Sequence, residues 1–228
     1  IAISAILIVT DTLGSPSGNV LVDFFITILW IVGITNSINF FDNVDGGASG
    51  TIAISSIFLF LLAFQGGQIF IAALAAVLGG ATIGFLLWNR PPARIYMGDA
   101  GALFLGLLIA TLLIRFNPNP IYLSASFAIP VLIMAIPILD TSVAVISRLR
   151  RGISPFQGGQ DHLSHRLMRA GLSKRQAVLS LWLMSFFFCL VAVAISHSPY
   201  TLERDITLMS SSIWLLLLFL FLRTKDSN

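Results

Sequence analysis

The chain has 228 residues, of which 57% are hydrophobic and only 10% charged, and its mean hydropathy is +0.94. Soluble domains carry about a quarter charged residues, so the composition excludes an ordinary soluble domain and indicates an integral membrane protein. The net charge of +3 fits anchoring against anionic lipid heads as readily as binding of an anionic substrate.

A bilayer core takes about 20 apolar residues per helix. The apolar runs predict a partial span at 1–9, then spans at 20–41, 51–64, 68–88, 102–114, 121–147, 177–196 and 207–222. The expected fold is all-α, a polytopic transmembrane bundle of about seven full spans and a partial first one, forming one membrane domain over residues 1–228. The runs at 51–64 and 102–114 are short and are expected to extend into their loops. The 18 Gly and 18 Phe suit packed membrane helices. Cys189, alone inside an apolar run, excludes an intramolecular disulfide. Residue 1 is Ile and no signal peptide is evident, so the chain is expected to be an internal piece of a longer protein.

Strict alternation of the spans puts loops 42–50, 89–101 and 148–176 and the tail from Arg223 on one side. That side carries eleven Lys and Arg; the other carries only Arg115 and Arg204. The positive-inside rule makes the first side cytoplasmic. Every dense polar cluster falls there, so the chain is expected to work at the cytoplasmic face of the plasma membrane.

The first cluster is Asn36-Ser-Ile-Asn-Phe-Phe-Asp-Asn-Val-Asp-Gly-Gly-Ala-Ser-Gly50, with Asn36, Asn39, Asp42 and Asp45 spaced by three. Neighbours three apart on a helix can share an ion or a phosphate, but the row drifts around a continuous helix. All four can face one cavity only if the helix breaks, and Gly46, Gly47 and Gly50 supply that freedom and permit close approach to a ligand. A solvated helix cap is the plain alternative.

The second cluster runs from Asn89 to Gly101. Pro91 and Pro92 prevent a helix from continuing, and Asp99 opens the next span between Gly98 and Gly101. Asp99 could share a divalent ion with Asn39 or Asp42, an oxygen-ligand arrangement suited to Mg²⁺. Tyr96 could stack on a flat ring or sit in an interfacial aromatic belt.

In the third cluster, His162, His165, Arg166 and Arg169 fall at i, i+3, i+4 and i+7, a cationic stripe suited to phosphate or to an anionic membrane surface. Gly171 is expected to end that helix and Ser173 with Gln176 to cap the next as a capping box. Zinc is disfavoured, because no Cys or third His is nearby. Asp140, inside a span, is a functional candidate, a brace for a kink at Pro137, or a partner for an Arg.

At these clusters the sequence resembles the polyprenyl-phosphate N-acetylhexosamine-1-phosphate transferases of glycosyltransferase family 4. The match comprises 36–47, Asn89 with 92–101, then Asp140-Thr141 with the distal Asp161-His-Leu-Ser-His-Arg-Leu167. The last pattern is closer to the bacterial branch typified by WecA and TagO, which uses UDP-N-acetylglucosamine, than to the muramoyl-pentapeptide branch.

The resemblance implies transfer of a sugar phosphate from a UDP-N-acetylhexosamine to polyprenyl phosphate, with release of UMP, in cell-envelope polysaccharide synthesis. By the same resemblance Asn39 and Asp99 hold Mg²⁺, or Mn²⁺ in its place, and Tyr96 stacks on uracil. Asp45 and Asn89 lie beside the nucleotide, Asn36 adds to substrate binding, and Asp42 belongs to the acidic site. The loop with His162, His165 and Arg166 recognises sugar and diphosphate. The implied partners are the two substrates and the bilayer, with a homodimer left open and no nucleic acid.

Three departures stand out: Asn43 and Gly47 replace the usual Gly and Leu, Ser164 stands where a His is frequent, and the upstream Asp-Asp pair is absent. A transporter or a non-catalytic lipid-binding subunit is the rival reading. A transporter would show polar groups at mid-depth and an internal repeat, and no clear repeat is visible.

Overall fold

The computed structural model describes residues 19–118, 123–155 and 157–224. The expected partial span at 1–9 lies outside these residues. Among the described residues every regular element is a helix: α1 (Val20–Phe41), α2 (Gly47–Gln65), α3 (Ile69–Asn89), α4 (Gly98–Arg115), α5 (Leu123–Ile133), α6 (Ala135–Arg150), α7 (Leu163–Arg169), α8 (Lys174–His197) and α9 (Tyr200–Arg223). Six are long and apolar enough to cross a membrane, and α5 with α6 is a bent pair that brings the number to seven if it forms one span.

Local chemistry sets the helix boundaries. The Asn19 side chain accepts from the amides of Leu21 and Val22, and Ser173 forms with Gln176 the expected capping box at the start of α8. The two runs that were short in the sequence do extend into their loops. α2 begins at Gly47 and α4 at Gly98, because small residues let the first turns pack or bend.

The expectation of one continuous span at 121–147 is corrected: α5 and α6 meet at Met134 with a bend of 74°. The physical reason is Pro137, which has no N–H to offer the carbonyl of Ile133. That carbonyl lies in the interior, where an unpaired acceptor costs about 1–3 kcal/mol. Ser55 of α2 supplies the missing donor, its Oγ lying 3.0 Å from Ile133 O, and Trp214 of α9 donates to Ala135 O at 2.9 Å. Asp140 does not brace this bend.

The core runs through α2, which is buried along 72% of its apolar window and packs on α3 and α8. Ile52 and Leu59 of α2 are joined there by Ile34 and Ile38 of α1, Ile109 and Leu113 of α4, Ile136 and Leu139 of α6, and Leu181 and Phe188 of α8. In lipid, close contact between helices depends on small residues rather than on a hydrophobic drive. A Cβ at Gly106 would lie 2.8 Å from Thr35 Cα, so α4 rests directly on the backbone of α1. At Gly50 the added atom would meet the Trp182 ring at 2.2 Å. The open space beside Gly50 therefore belongs to α8, which corrects the expectation that this glycine admits a ligand.

Candidate active site

The α1–α4 crossing fixes the register of the acidic residues. The helices are antiparallel, since Trp30 Nε1 donates to Ala110 O at 3.0 Å while Gly106 abuts Thr35. Seven residues beyond Thr35 lies Asp42, and seven before Gly106 lies Asp99. At ~100° per residue, seven positions return to nearly the same face, so these two side chains end up level at the end of the same seam. Asn39, four residues from Thr35, lies on the same stripe. Helix α1 stops at Phe41, Asp42 is its C-cap, and Gly46 takes a left-handed φ of 75° to start α2, so the break required by the spacing of the row is present.

Electrostatics report the same proximity. The Asp42 carboxyl is pushed up to about 6, first by burial and then by the charges of Asp99 and Asp45. Among the described residues no hydrogen bond or ion pair holds the Asp42 or Asp99 carboxylate. Two acidic groups thus lie near enough to repel one another, without a protein cation between them. No three His, Cys, Asp or Glu among the described residues converge as a metal cage. Two carboxylates and an amide nonetheless fit Mg²⁺, which keeps waters and takes one or two carboxylates together with substrate phosphates.

The other polar residues build the frame around this pair. Asn89 is buried; its Oδ1 accepts from Gly46 N at 3.0 Å and Ser49 Oγ at 2.8 Å, and its Nδ2 donates to Ile95 O at 2.9 Å. Asn89 therefore pins the α1–α2 turn to the loop at 90–97, a positioning role that its buried amide fulfils without a ligand. Asp45 Oδ2 accepts from Ala93 N at 3.0 Å and pairs with Lys174 Nζ at 2.7 Å. Burial works against its ionisation, but the Lys174 hydrogen bond and charge and the Ala93 amide outweigh burial and hold it below the usual carboxylate range. Trp182 Nε1 donates to Gly46 O at 3.0 Å, which closes the frame from α8.

Two further candidate side chains are likewise engaged within the protein. His162 is buried, with Nδ1 2.7 Å from Asp140 Oδ2 and Nε2 3.3 Å from Arg148. Arg148 can only donate, so Nε2 accepts and Nδ1–H points to Asp140. The other Asp140 oxygen accepts from Leu163 N at 2.7 Å. Asp140 thus anchors the start of α7, and both ring nitrogens of His162, expected to recognise sugar and diphosphate, are engaged within the protein. Arg148 and Arg151 both bind Asp161, which completes a buried ionic base for the loop.

Arg166, expected to bind substrate, is 1% exposed. It donates to the carbonyls of Asp161, Phe221 and Thr224 and to Ser147 Oγ. The stripe of four was read from periodicity alone, and tertiary acceptors draw its arginine inward. Asn36 is exposed and donates to the carbonyl of Val32 in its own helix at 2.7 Å.

Two of these candidates, Tyr96 and His165, remain accessible, and the buried Ser164 links two of the loops. Tyr96 is 78% exposed beside Asp99. His165 is half-buried, and burial, then His162 and Arg169, lower its pKa against the pull of Asp140 and Asp161. Ser164 Oγ donates to Asn43 Oδ1 at 2.5 Å and ties the third cluster to the first. Both residues depart from the resembled pattern, and here they are partners. Sequence reading missed Arg148, Lys174 and Trp182. Only their charge or aromaticity near the polar loops signalled them.

These cross-links bring all three polar loops to one end of a membrane bundle and define a polytopic membrane protein whose polar end frames an open acidic pair. Comparison with known proteins then fixes the family. The Glycosyl transferase family 4 model matches residues 1–117, and the chain belongs to that family. It is 39% identical over 197 residues, 86% of its length, to a protein of Bacillus subtilis named a probable undecaprenyl-phosphate N-acetylglucosaminyl 1-phosphate transferase. It is 34% identical over 69% of its length to a decaprenyl-phosphate N-acetylglucosaminephosphotransferase of Mycolicibacterium smegmatis. It is 26% identical over 79% of its length to an undecaprenyl-phosphate alpha-N-acetylglucosaminyl 1-phosphate transferase of Escherichia coli. These matches cover 51%, 43% and 50% of the relatives, so the chain spans about half their length.

Proposed function

We propose that the protein transfers N-acetylglucosamine 1-phosphate from UDP-N-acetylglucosamine to a polyprenyl phosphate at the cytoplasmic face and releases UMP. The relatives' names support the acceptor class and the sugar phosphate. The excess of Lys and Arg in the polar loops supports the cytoplasmic side. The observation that carries the reading is the pair Asp42 and Asp99, on antiparallel helices at one end of the bundle, without a cation of the protein's own.

In the proposed reaction an oxygen of the lipid phosphate attacks the β-phosphorus of the nucleotide sugar. The bond from that phosphorus to the bridging oxygen breaks, and UMP leaves with the oxygen. The lipid phosphate is already anionic at neutral pH, so no strong base is needed. Asp99, Asn39 and Asp42 would hold Mg²⁺, which when bound supplies positive charge to the diphosphate and orients it. Tyr96, open to solvent, offers a face for the uracil ring. His165, with its pKa lowered, is predominantly neutral at pH 7 and offers the sugar or diphosphate a hydrogen bond rather than a full charge.

The test is radiolabelled UDP-N-acetylglucosamine incubated with polyprenyl phosphate and the whole membrane-embedded protein. A lipid-linked labelled product, lost in Asp99→Asn, is expected. Uptake of label without chemistry would identify a transporter, and near-normal turnover in Asp99→Asn would remove that carboxylate from the site.

A further inference from the structure

Beside the acidic pair's frame, between the end of α3, the loop that follows it and the start of α8, lies a cavity of about 740 Å³. Arg90, Arg94 and Arg175 line it, with Trp88, Val178 and Trp182 among its apolar walls. The guanidinium of Arg94 sits 5.7 Å from the Trp88 ring centroid. Among the described residues none of the three guanidinium groups makes an ion pair or a hydrogen bond. The fourth basic group nearby, Lys174, is paired with Asp45. Trp88 and Leu87 are more than half exposed on the outer surface of a membrane-crossing helix, so the cavity opens toward lipid at the level where α3 ends.

Three unpaired guanidinium groups around one space call for an oxyanion with several acceptor oxygens, and phosphate matches their planar donor pairs. An apolar wall continuous with the bilayer favours a phosphate that carries hydrocarbon. We propose that this cavity binds the phosphate head group of an anionic phospholipid, with Arg90, Arg94 and Arg175 on the phosphate and Trp88, Leu87 and Val178 along the start of its chains. Positive charge at a helix end also anchors membrane proteins without any site. A built site differs from such anchoring in being saturable and in depending on these arginines rather than on charge in general.

The whole protein in nanodiscs of mixed phosphatidylglycerol and phosphatidylcholine, released into native mass spectrometry, tests this. One phosphatidylglycerol retained per chain is expected, with phosphatidylcholine at least tenfold less. Retention should fall at least tenfold in R90Q/R94Q/R175Q and severalfold in each single variant. It should persist in R150Q/R204Q/R223Q, which removes equal charge elsewhere. Equal loss in both triple variants, or no preference between the two lipids, overturns the site. Displacement of the lipid by millimolar inorganic phosphate would assign the cavity to a soluble phosphate and overturn the lipid assignment.

Discussion

Replacing Asn89 by Ala separates two roles that the same residue could have. In the structure Asn89 makes three hydrogen bonds from a position 2% exposed, and two of its partners are backbone groups, Gly46 N–H and Ile95 C=O. Removing the amide leaves both without that partner, at about 1–3 kcal/mol for each buried group. Partial access of water near Ile95 brings the expected total to about 3 kcal/mol. For a chain of this size that is a fall in melting temperature of roughly 6–12 °C. Thermal unfolding of the purified protein in one detergent, followed by intrinsic fluorescence, measures it. The loss should appear without nucleotide, because the bonds exist without nucleotide. An unchanged melting temperature together with a raised KM for the nucleotide sugar would refute the positioning role and restore Asn89 as a substrate contact.

Gly50→Ala should destabilise by at least about 2 kcal/mol through overpacking against Trp182, and adding Trp182→Leu should recover part of that loss, as a double-mutant thermal-shift series would show. Arg166→Gln strands several buried acceptors at once, so the yield of folded protein in size-exclusion chromatography should drop sharply, whereas substrate affinity alone would change if the residue were a contact. Ser55→Ala leaves Ile133 O unpaired beside the bend and should cost about 1–3 kcal/mol in the same thermal assay. For pH, Asp42 has a folded pKa of about 6 against an ordinary 3.8. The folded state therefore binds more protons between those values, and the stability linked to this proton is present below 3.8 and lost as pH rises through 6. In metal-free buffer Asp42→Asn should raise the melting temperature at pH 7.5 and have little effect near pH 3.8; a gain of equal size at both would refute the charge argument.

The spans, the common end of the polar loops and the break after Asp42 were legible because each follows from a local pattern: apolar length, charge asymmetry, and a row of polar residues running into glycines. The α5–α6 bend was only half legible. Pro137 marks a lost donor, but Ser55, far away in sequence, is what makes the resulting break tolerable inside the bundle. The side-chain roles were least legible. Asn89, His162 and Arg166 carry the chemistry of ligand-binding groups, and nothing in their spacing tells that backbone and buried carboxylate partners already engage them. Asn36 shared the spacing of Asp42, yet the α1–α4 seam, set by Gly106 against Thr35, decides which members of the row face inward.

Arg166 joins two distant parts of the chain, taking the last carbonyls of α9 while sitting next to His165. The C-terminal end of α9 is thereby stapled to the histidine loop. A change that displaced those two carbonyls would therefore reach, through Arg166, the residue next to His165.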